Sequence, residues 1–352
     1  MTVTSRQRSA HRTARPHESA VPHASAVPHE SAVPHASAVP HESAVPHASA
    51  GSGASRVSVV IATMNRAGRL LRTLSVLERL PERPPVLVVD NGSTDGTVAA
   101  VAREHPGVRV ISLPENIGCG ARNVGVARAD TGYVAFADDD SWWAPGSLAR
   151  AARLLDEHPR LAVVAARMLV GPQESLDLVS SEMAAGPLPA RADLPGPPVL
   201  GFLACGVVVR RAAFLAVGGF DARLMIGGEE ELLAIDLVSA GWGLAYVDDV
   251  VAHHHPLPRL DSQLAARRRI QARNALWTAW LRRRLPGAVR RTVRLGRDVR
   301  HDAAVRAGFL DAVRGVPWVL RCRRPVTPGL EADLRLMESA AEGSPAPAVS
   351  TG

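Results

Sequence analysis

Residues 57–90 read VSVVIATMNRAGRLLRTLSVLERLPERPPVLVVD. The opening run, Val57-Ser58-Val59-Val60-Ile61, is rich in β-branched residues, which predicts a buried strand. From Arg66 to Leu80 the apolar residues change to helical spacing, with Leu70, Leu71, Leu74 and Leu77 on one face. Pro81, Pro84 and Pro85 stop that helix. Val86-Leu87-Val88-Val89 is a second strand, closed by Asp90-Asn91-Gly92. The alternation continues. A helix follows from about Asp95, a strand from Val108 to Leu113, a helix from about Gly120 to Ala129, and a strand from Tyr133. Strands apolar on both faces, alternating with helices, predict an α/β fold with a mostly parallel sheet covered by helices on both faces. Ligands of such sheets bind outside the carboxyl ends of the strands.

Carboxylates gather at that edge. Asp90 ends the second strand, and residues 132–143, GYVAFADDDSWW, carry the fourth strand into Asp138, Asp139 and Asp140. Three adjacent carboxylates repel one another. A divalent cation such as Mg2+ or Mn2+, which prefers oxygen ligands, would remove that cost. On an extended stretch Asp138 and Asp140 would point the same way and could share the ion. The alternative is a solvated acidic turn before a helix that begins near Pro145.

The chain has 352 residues and is 46% hydrophobic, enough for a sizeable core and roughly two domains. No apolar run reaches the ~18 residues that span a bilayer. The longest, Val199 to Val209, stops at Arg210 and Arg211. The N-terminus lacks the apolar segment of a secretory signal. Cys119, Cys205 and Cys322 are odd in number and far apart, which argues against a disulfide framework and for a reducing cytoplasm. Every one of the 41 basic residues is arginine, and 18 of them lie between Arg259 and Arg324 against four acids, a local balance of +14. From Pro16 to Val45 the chain repeats PHESAV and PHASAV. Such a segment cannot offset its ordering entropy by burial. Residues 1–54 are therefore expected to be a disordered tail, whose histidines would at most chelate a metal weakly.

Four blocks together resemble the family 2 glycosyltransferases. VSVVIATMNRAGRLLRTL is similar to their first strand and helix, and VLVVDNGSTDGT to their second strand and turn. ENIGCGARNVGVARADTGYVAFADDDSWWAP is similar to the block that runs into their metal-binding DxD, and GGEEELLAIDLVSAGWGLAYVDDVVAHHH to their acceptor-side helix and closing strand. The resemblance spans residues 57 to about 256. It implies a GT-A type nucleotide-binding sheet and an inverting, non-processive, metal-dependent transfer of sugar from a nucleoside-diphosphate sugar to an acceptor hydroxyl, in cell-envelope or polysaccharide synthesis. It implies Mg2+ or Mn2+ held by Asp138, Asp140 and His254, with His253 and His255 as alternatives to His254. The donor would be bound by Thr63, Asn65, Asp90, Asn91, Asn123, Asp138 and Asp139. Glu229 and Glu230 fall on the catalytic acidic pair. Glu230 takes the general-base position, and Glu229 and Glu231 beside it would raise its pKa.

Two positions depart from the family. Asn91 stands where an aspartate is usual and Met64 where an aromatic is common, so thymidine and guanosine donors become as plausible as uridine. The QxxRW element of processive synthases is absent; Arg273 and Trp277 do not reproduce it. A metal-dependent nucleotidyltransferase is the rival enzyme, although ATMNRAG is a poor phosphate loop. A non-catalytic nucleotide-sugar-binding protein is the other rival. The expected domains are the tail, a catalytic domain at 55–258, an arginine-rich helical extension at 259–335, and a flexible tail at 336–352. The extension reads as an amphipathic surface for anionic lipid or as a cap on the catalytic domain. Nucleic acid is not an expected partner. The expected location is cytoplasmic, peripheral at the inner face of the membrane, with a sugar or lipid-linked acceptor.

Overall fold

The first apolar runs become the centre of a sheet. In the computed structural model, residues 55–257 and 260–343 are described. Strands β1 (Val57–Thr63), β2 (Val86–Asp90), β3 (Arg109–Ser112) and β4 (Tyr133–Ala137) lie in the order β3-β2-β1-β4, all parallel. Helices α1 (Ala67–Leu77), α2 (Thr97–Glu104) and α3 (Gly120–Arg128) connect them. Alternate residues of β1 feed opposite faces, as the pleat requires. Val59 and Ile61 join Leu70, Leu74 and Leu77 of α1 in one core, and Val60 joins Val126 of α3 in the other.

The second half departs from simple alternation. It contains β5 (Ser141–Trp143), α4 (Ser147–Glu157), β6 (Leu161–Val170), β7 (Ser175–Leu176) and α5 (Leu178–Ala184). Then come β8 (Val207–Arg210), α6 (Arg211–Ala216), α7 (Glu229–Ser239) and β9 (Gly243–His254). The sheet continues from β4 as β8-β6-β9-β5, with β7 on β6. β8 runs antiparallel to both neighbours and β5 antiparallel to β9, so the sheet is mixed, with its remaining main strands in one direction. The apolar run from Val199 only enters strand β8 at Val207, after a turn at Ala204–Gly206, and no helix among the described residues is long and apolar enough to cross a membrane.

The arginine-rich segment forms α8 (Asp261–Arg282), α9 (Leu285–Asp298), α10 (Ala303–Arg314), α11 (Val316–Arg321) and α12 (Pro328–Gly343). Helices α8, α11 and α12 pack against α7 and the turn before it, and α10 packs on α8. Leu281 and Val319 bury against Leu224 and Leu232, and Leu330 and Leu334 against Leu200 and Ile235. Arg282 pairs with Asp236 of α7. The expected boundary at 335 falls inside α12 and is corrected: Leu330, Leu334 and Met337 share its packed face, and Glu338 hydrogen-bonds Arg283 at 2.6 Å. Arg283 also grips Glu331 through two hydrogen bonds of 3.1 Å, with both side chains only 3% exposed. Burying two charges costs several kcal/mol per ion, so such a pair persists only when its partners are complete. The expected tail at 1–54 and residues 344–352 lie outside the described residues.

Candidate active site

Strands β1, β2 and β4 end side by side. Thr63 is level with Asp90, and β4 passes directly into the three aspartates. Those aspartates do not continue the strand. Ser141 N–H donates to the Asp138 carbonyl at 3.2 Å, and Asp138 N–H donates to Ser141 Oγ at 2.8 Å, closing a turn. The expectation that Asp138 and Asp140 alternate along an extended stretch is corrected accordingly. Each carboxylate turns to its own partners. Asp138 accepts from Arg122 at 2.6 Å. Asp139 is buried, accepts from Thr63 Oγ1 at 3.0 Å, and lies 3.6 Å from Arg66. Asp140 accepts from Arg69 at 3.0 Å and faces His254 Nε2 at 3.3 Å. The repulsion anticipated from three adjacent acids is thus relieved by three arginines and an imidazole. The sequence reading missed Arg66, Arg69 and Arg122, which lie at helix starts beside the quoted strand ends.

Electrostatics divides the three. Burial pushes Asp139 up to about 6, against the pull of Arg66. Burial would also raise Asp140, but His254, Arg66 and Arg69 outweigh it and hold the carboxyl below its usual range. For His254 burial would lower the pKa, and the Asp140 carboxylate reverses this and raises it. Of the three imidazoles, that of His254 is the one that faces an aspartate carboxylate, while His255 donates its backbone N–H to the Asp140 carbonyl at 2.9 Å. His253 and His255 flank Trp142, with ring centroids 5.8 and 4.7 Å away. Trp143 is fully buried and donates Nε1–H to the Phe136 carbonyl at 3.2 Å, so it packs under the turn.

The remaining candidates separate into reachable groups and local clamps. Asp90 is buried; Oδ2 accepts from Ser93 N–H at 3.1 Å, while Oδ1 has no partner among the described residues. Asn65 accepts from Thr94 N–H at 2.7 Å and is exposed beside Met64, whose sulfur accepts from Asn116. The Asn91 amide is occupied: it accepts from Ile117 N–H at 2.9 Å and donates to the Gly118 carbonyl at 3.1 Å. Asn123 likewise accepts from Phe220 N–H and donates to the Phe220 carbonyl, at 2.9 and 2.7 Å. Both amides tie loops to the sheet edge.

The acidic pair opens α7. Glu229 is buried with Oε2 unpartnered, and Glu230 is half-buried. Burial raises the Glu229 carboxyl and the Glu230 charge raises it further, while Arg122 opposes. Glu229 is the buried member because α7 turns its first side chain inward. Arg122 connects this pair electrically to the aspartate turn; burial disfavours its charge, and Asp138 and Glu229 outweigh that. The strap before α7 is held from two sides. Cys119 N–H donates to the Met225 carbonyl at 2.6 Å, and Gly118, at φ +58°, leaves no room for a Cβ, which would stand 2.4 Å from that oxygen. From the extension, the buried Asn274 amide donates to the carbonyls of Leu224, Ile226 and Gly227 at 2.8, 3.2 and 2.7 Å. No three His, Cys, Asp or Glu side chains among the described residues are grouped closely enough to hold a metal ion.

The family model described as Glycosyl transferase family 2 matches residues 58–218. A Mycobacterium tuberculosis protein named N-acetylglucosaminyl-diphospho-decaprenol L-rhamnosyltransferase is 31% identical over 231 residues, covering 56% of this chain and 75% of that one. The chain is a family 2 glycosyl transferase. A second relative of this glycosyl transferase from the same species, named pre-mycofactocin glycosyltransferase, is 33% identical over 213 residues, and the match spans only 43% of its length. Among solved structures, a Pyrobaculum calidifontis mannosyltransferase in complex with GDP-Man and Mn2+ superposes with a TM-score of 0.51 at 19% identity, covering 83% of this chain and 88% of that one. That likeness establishes the GT-A fold. The protein is an enzyme of glycan synthesis that transfers glycosyl groups.

Proposed function

We propose that this enzyme transfers a sugar, with inversion and without processivity, from a nucleoside-diphosphate donor to a hydroxyl of a lipid-linked acceptor, using Mg2+ or Mn2+. The observation that carries the reading is the joint placement of the aspartate turn and the Glu229–Glu230 pair around Arg122. Asp140 and His254, 3.3 Å apart, would hold the cation, and Asp138, paired with Arg122 at 2.6 Å, would join them only by exchanging that arginine for the ion. Carboxylates and imidazole suit Mn2+, and Asp140 and His254 already face each other. When bound, the cation neutralises charge on the departing diphosphate. Arg66, Arg69 and Arg122 add fixed positive charge at the same place. Asp90, with one oxygen unpartnered, and Asn65 remain for the nucleoside, beside Met64.

Glu230 is the general base of this reading. A base must be ionised and reachable by the acceptor hydroxyl. Glu229, buried and shifted upward, keeps a proton more readily than an exposed carboxyl, whereas Glu230 is the more accessible of the pair. The acceptor class follows the named activity of the mycobacterial relative, a transferase to a diphospho-polyprenol. A lipid acceptor also accords with α9, where Leu285, Val289 and Val293 share one exposed face. The domain plan of this proposal is a catalytic unit at 55–258 with the helical segment as its acceptor-side cap and lipid-facing surface.

The test is a screen of nucleotide sugars for hydrolysis and transfer with Mn2+, with and without EDTA. Donor turnover that EDTA abolishes is expected. Full activity in EDTA would overturn the metal and leave the arginines to stabilise the diphosphate. Absence of turnover with any donor, alongside tight nucleotide-sugar binding, would replace the enzyme reading with a binding one.

A further inference from the structure

A groove of about 500 Å3 opens between the Ala222–Leu224 turn and helices α8, α10 and α11. Arg223, Arg273, Arg314, Arg321, Trp277 and Trp318 line it. Its one acid, Asp311, is already claimed by Arg269 and Arg314. Arg223 has Asp221 at 3.3 Å. Arg273 has no carboxylate partner among the described residues: its hydrogen bonds go to Asn274 Oδ1 and to the carbonyls of Arg223 and Leu224. Arg321 has neither an ion pair nor a side-chain hydrogen bond there. The groove therefore carries more guanidinium than carboxylate.

Its aromatic walls orient that charge. The Arg273 guanidinium lies 4.4 Å from the Trp277 ring centroid, and that of Arg223 lies 4.8 Å from the Trp318 centroid. Stacking on a ring holds each guanidinium flat. Arg273 spends Nε and Nη2 on Asn274 and the strap carbonyls and Arg223 spends Nη1 on Asp221, so Arg314 and Arg321 supply the remaining donors of the groove. Arginine forks match phosphate oxygens in pairs. The two tryptophans brace each other edge to face at 5.2 Å. Position adds the decisive point. The groove's floor is the start of the strap 223–228, which Arg273 and Asn274 hold by its carbonyls and which leads directly into Glu229. Arg223, which lines the groove, stands six positions before Glu229 on that strap.

The geometry points to this groove as the binding site for the phosphate or diphosphate of an anionic acceptor, holding that group while the attached sugar presents its hydroxyl to Glu230. The inference rests on the acceptor reading above, and it places the charged linker, which no side chain of the catalytic sheet has been assigned to bind.

The experiment is calorimetric titration of the full chain with inorganic pyrophosphate in EDTA, for the wild type, an Arg314→Gln/Arg321→Gln double variant, and Arg300→Gln as a surface control outside the groove. Melting curves confirm that each variant is folded. The expected result is that the double variant binds at least ~10-fold more weakly, the worth of one or two charge-assisted hydrogen bonds, while the control binds like the wild type. Equal affinity in the wild type and double variant, or no binding by the wild type, overturns the site. This titration needs no turnover, so it fails or succeeds independently of the glycosyl-transfer mechanism. In a transfer assay, the double variant is expected to raise KM for a phosphate-linked acceptor and not for a neutral glycoside of the same sugar. Equal KM changes for both acceptors would also overturn it.

Discussion

Two clusters of arginines and carboxylates in this enzyme are completed differently. In the extension, Arg283 faces Glu331 and Glu338, and Glu331 also accepts from the backbone of Arg284. Burial alone would lower Arg283 and raise Glu331, yet each holds its partner's charge so firmly that Arg283 shifts up and Glu331 down. At the sheet edge, by contrast, Asp90 Oδ1, Arg122 Nε and Glu229 Oε2 are buried without partners among the described residues. Buried polar atoms are rarely left so. The first cluster is closed and serves stability. The second keeps unspent hydrogen-bonding capacity where a substrate is expected, and bears the cost in the raised titration of Asp139 and Glu229.

Mutating the two clusters should therefore change different observables. The largest effect is expected from Asp140→Asn at the open edge. It removes a proposed cation ligand whose charge stabilisation is worth several kcal/mol, so turnover should fall by about 10³-fold with little change in melting temperature. A steady-state assay beside a thermal melt checks this. A variant that melts early but turns over normally once folded would make the edge a stability cluster too. Next, Glu331→Gln in the closed cluster leaves a buried guanidinium underpaired and should cost ~3–5 kcal/mol of stability by denaturant titration, with kcat per folded molecule retained. Loss of kcat without loss of stability would break the contrast. The smallest effect belongs to Asn274, which links the two regions. Asn274→Ala leaves three carbonyls of the strap with fewer donors and should cost ~1–3 kcal/mol. If the strap positions the base, kcat should fall while the donor KM holds; unchanged kcat would confine Asn274 to stability.

The sequence made the first half of the fold readable because each element there is local. β-branched runs with helical spacing between them predict β1 to β4 within a residue or two of their observed limits. The reversed β8 was hidden, since an apolar run shows burial but not direction. The candidate site was readable in its carboxylates and hidden in its cations. Asp138 to Asp140 stand together in the chain, whereas Arg69 is paired with Asp140 from 71 positions away. Asn91 and Asn123 stood at the right edge, but only the packed structure reveals that their amides are used on Ile117, Gly118 and Phe220. The inward turn of Glu229 was equally unreadable, because it depends on where Gly228 starts α7 and on what buries that first turn.

The central claim is that Glu229 and Glu230 divide their labour, one holding a proton and the other taking it. Comparing Glu229→Gln with Glu230→Gln tests it most directly, in kcat and in stability against pH. Glu230→Gln should lower kcat by about 10²–10⁴-fold with donor binding little changed, and Glu229→Gln should cost far less. The folded state binds the Glu229 proton more tightly than the unfolded chain does. Its contribution to wild-type stability should therefore be lost as pH rises from the ordinary value of 4.5 to about 8, and Glu229→Gln should make the fall shallower, leaving the share that the raised Asp139 and His254 contribute. A crippled Glu229→Gln beside a fully active Glu230→Gln would contradict the account and move the base one residue back.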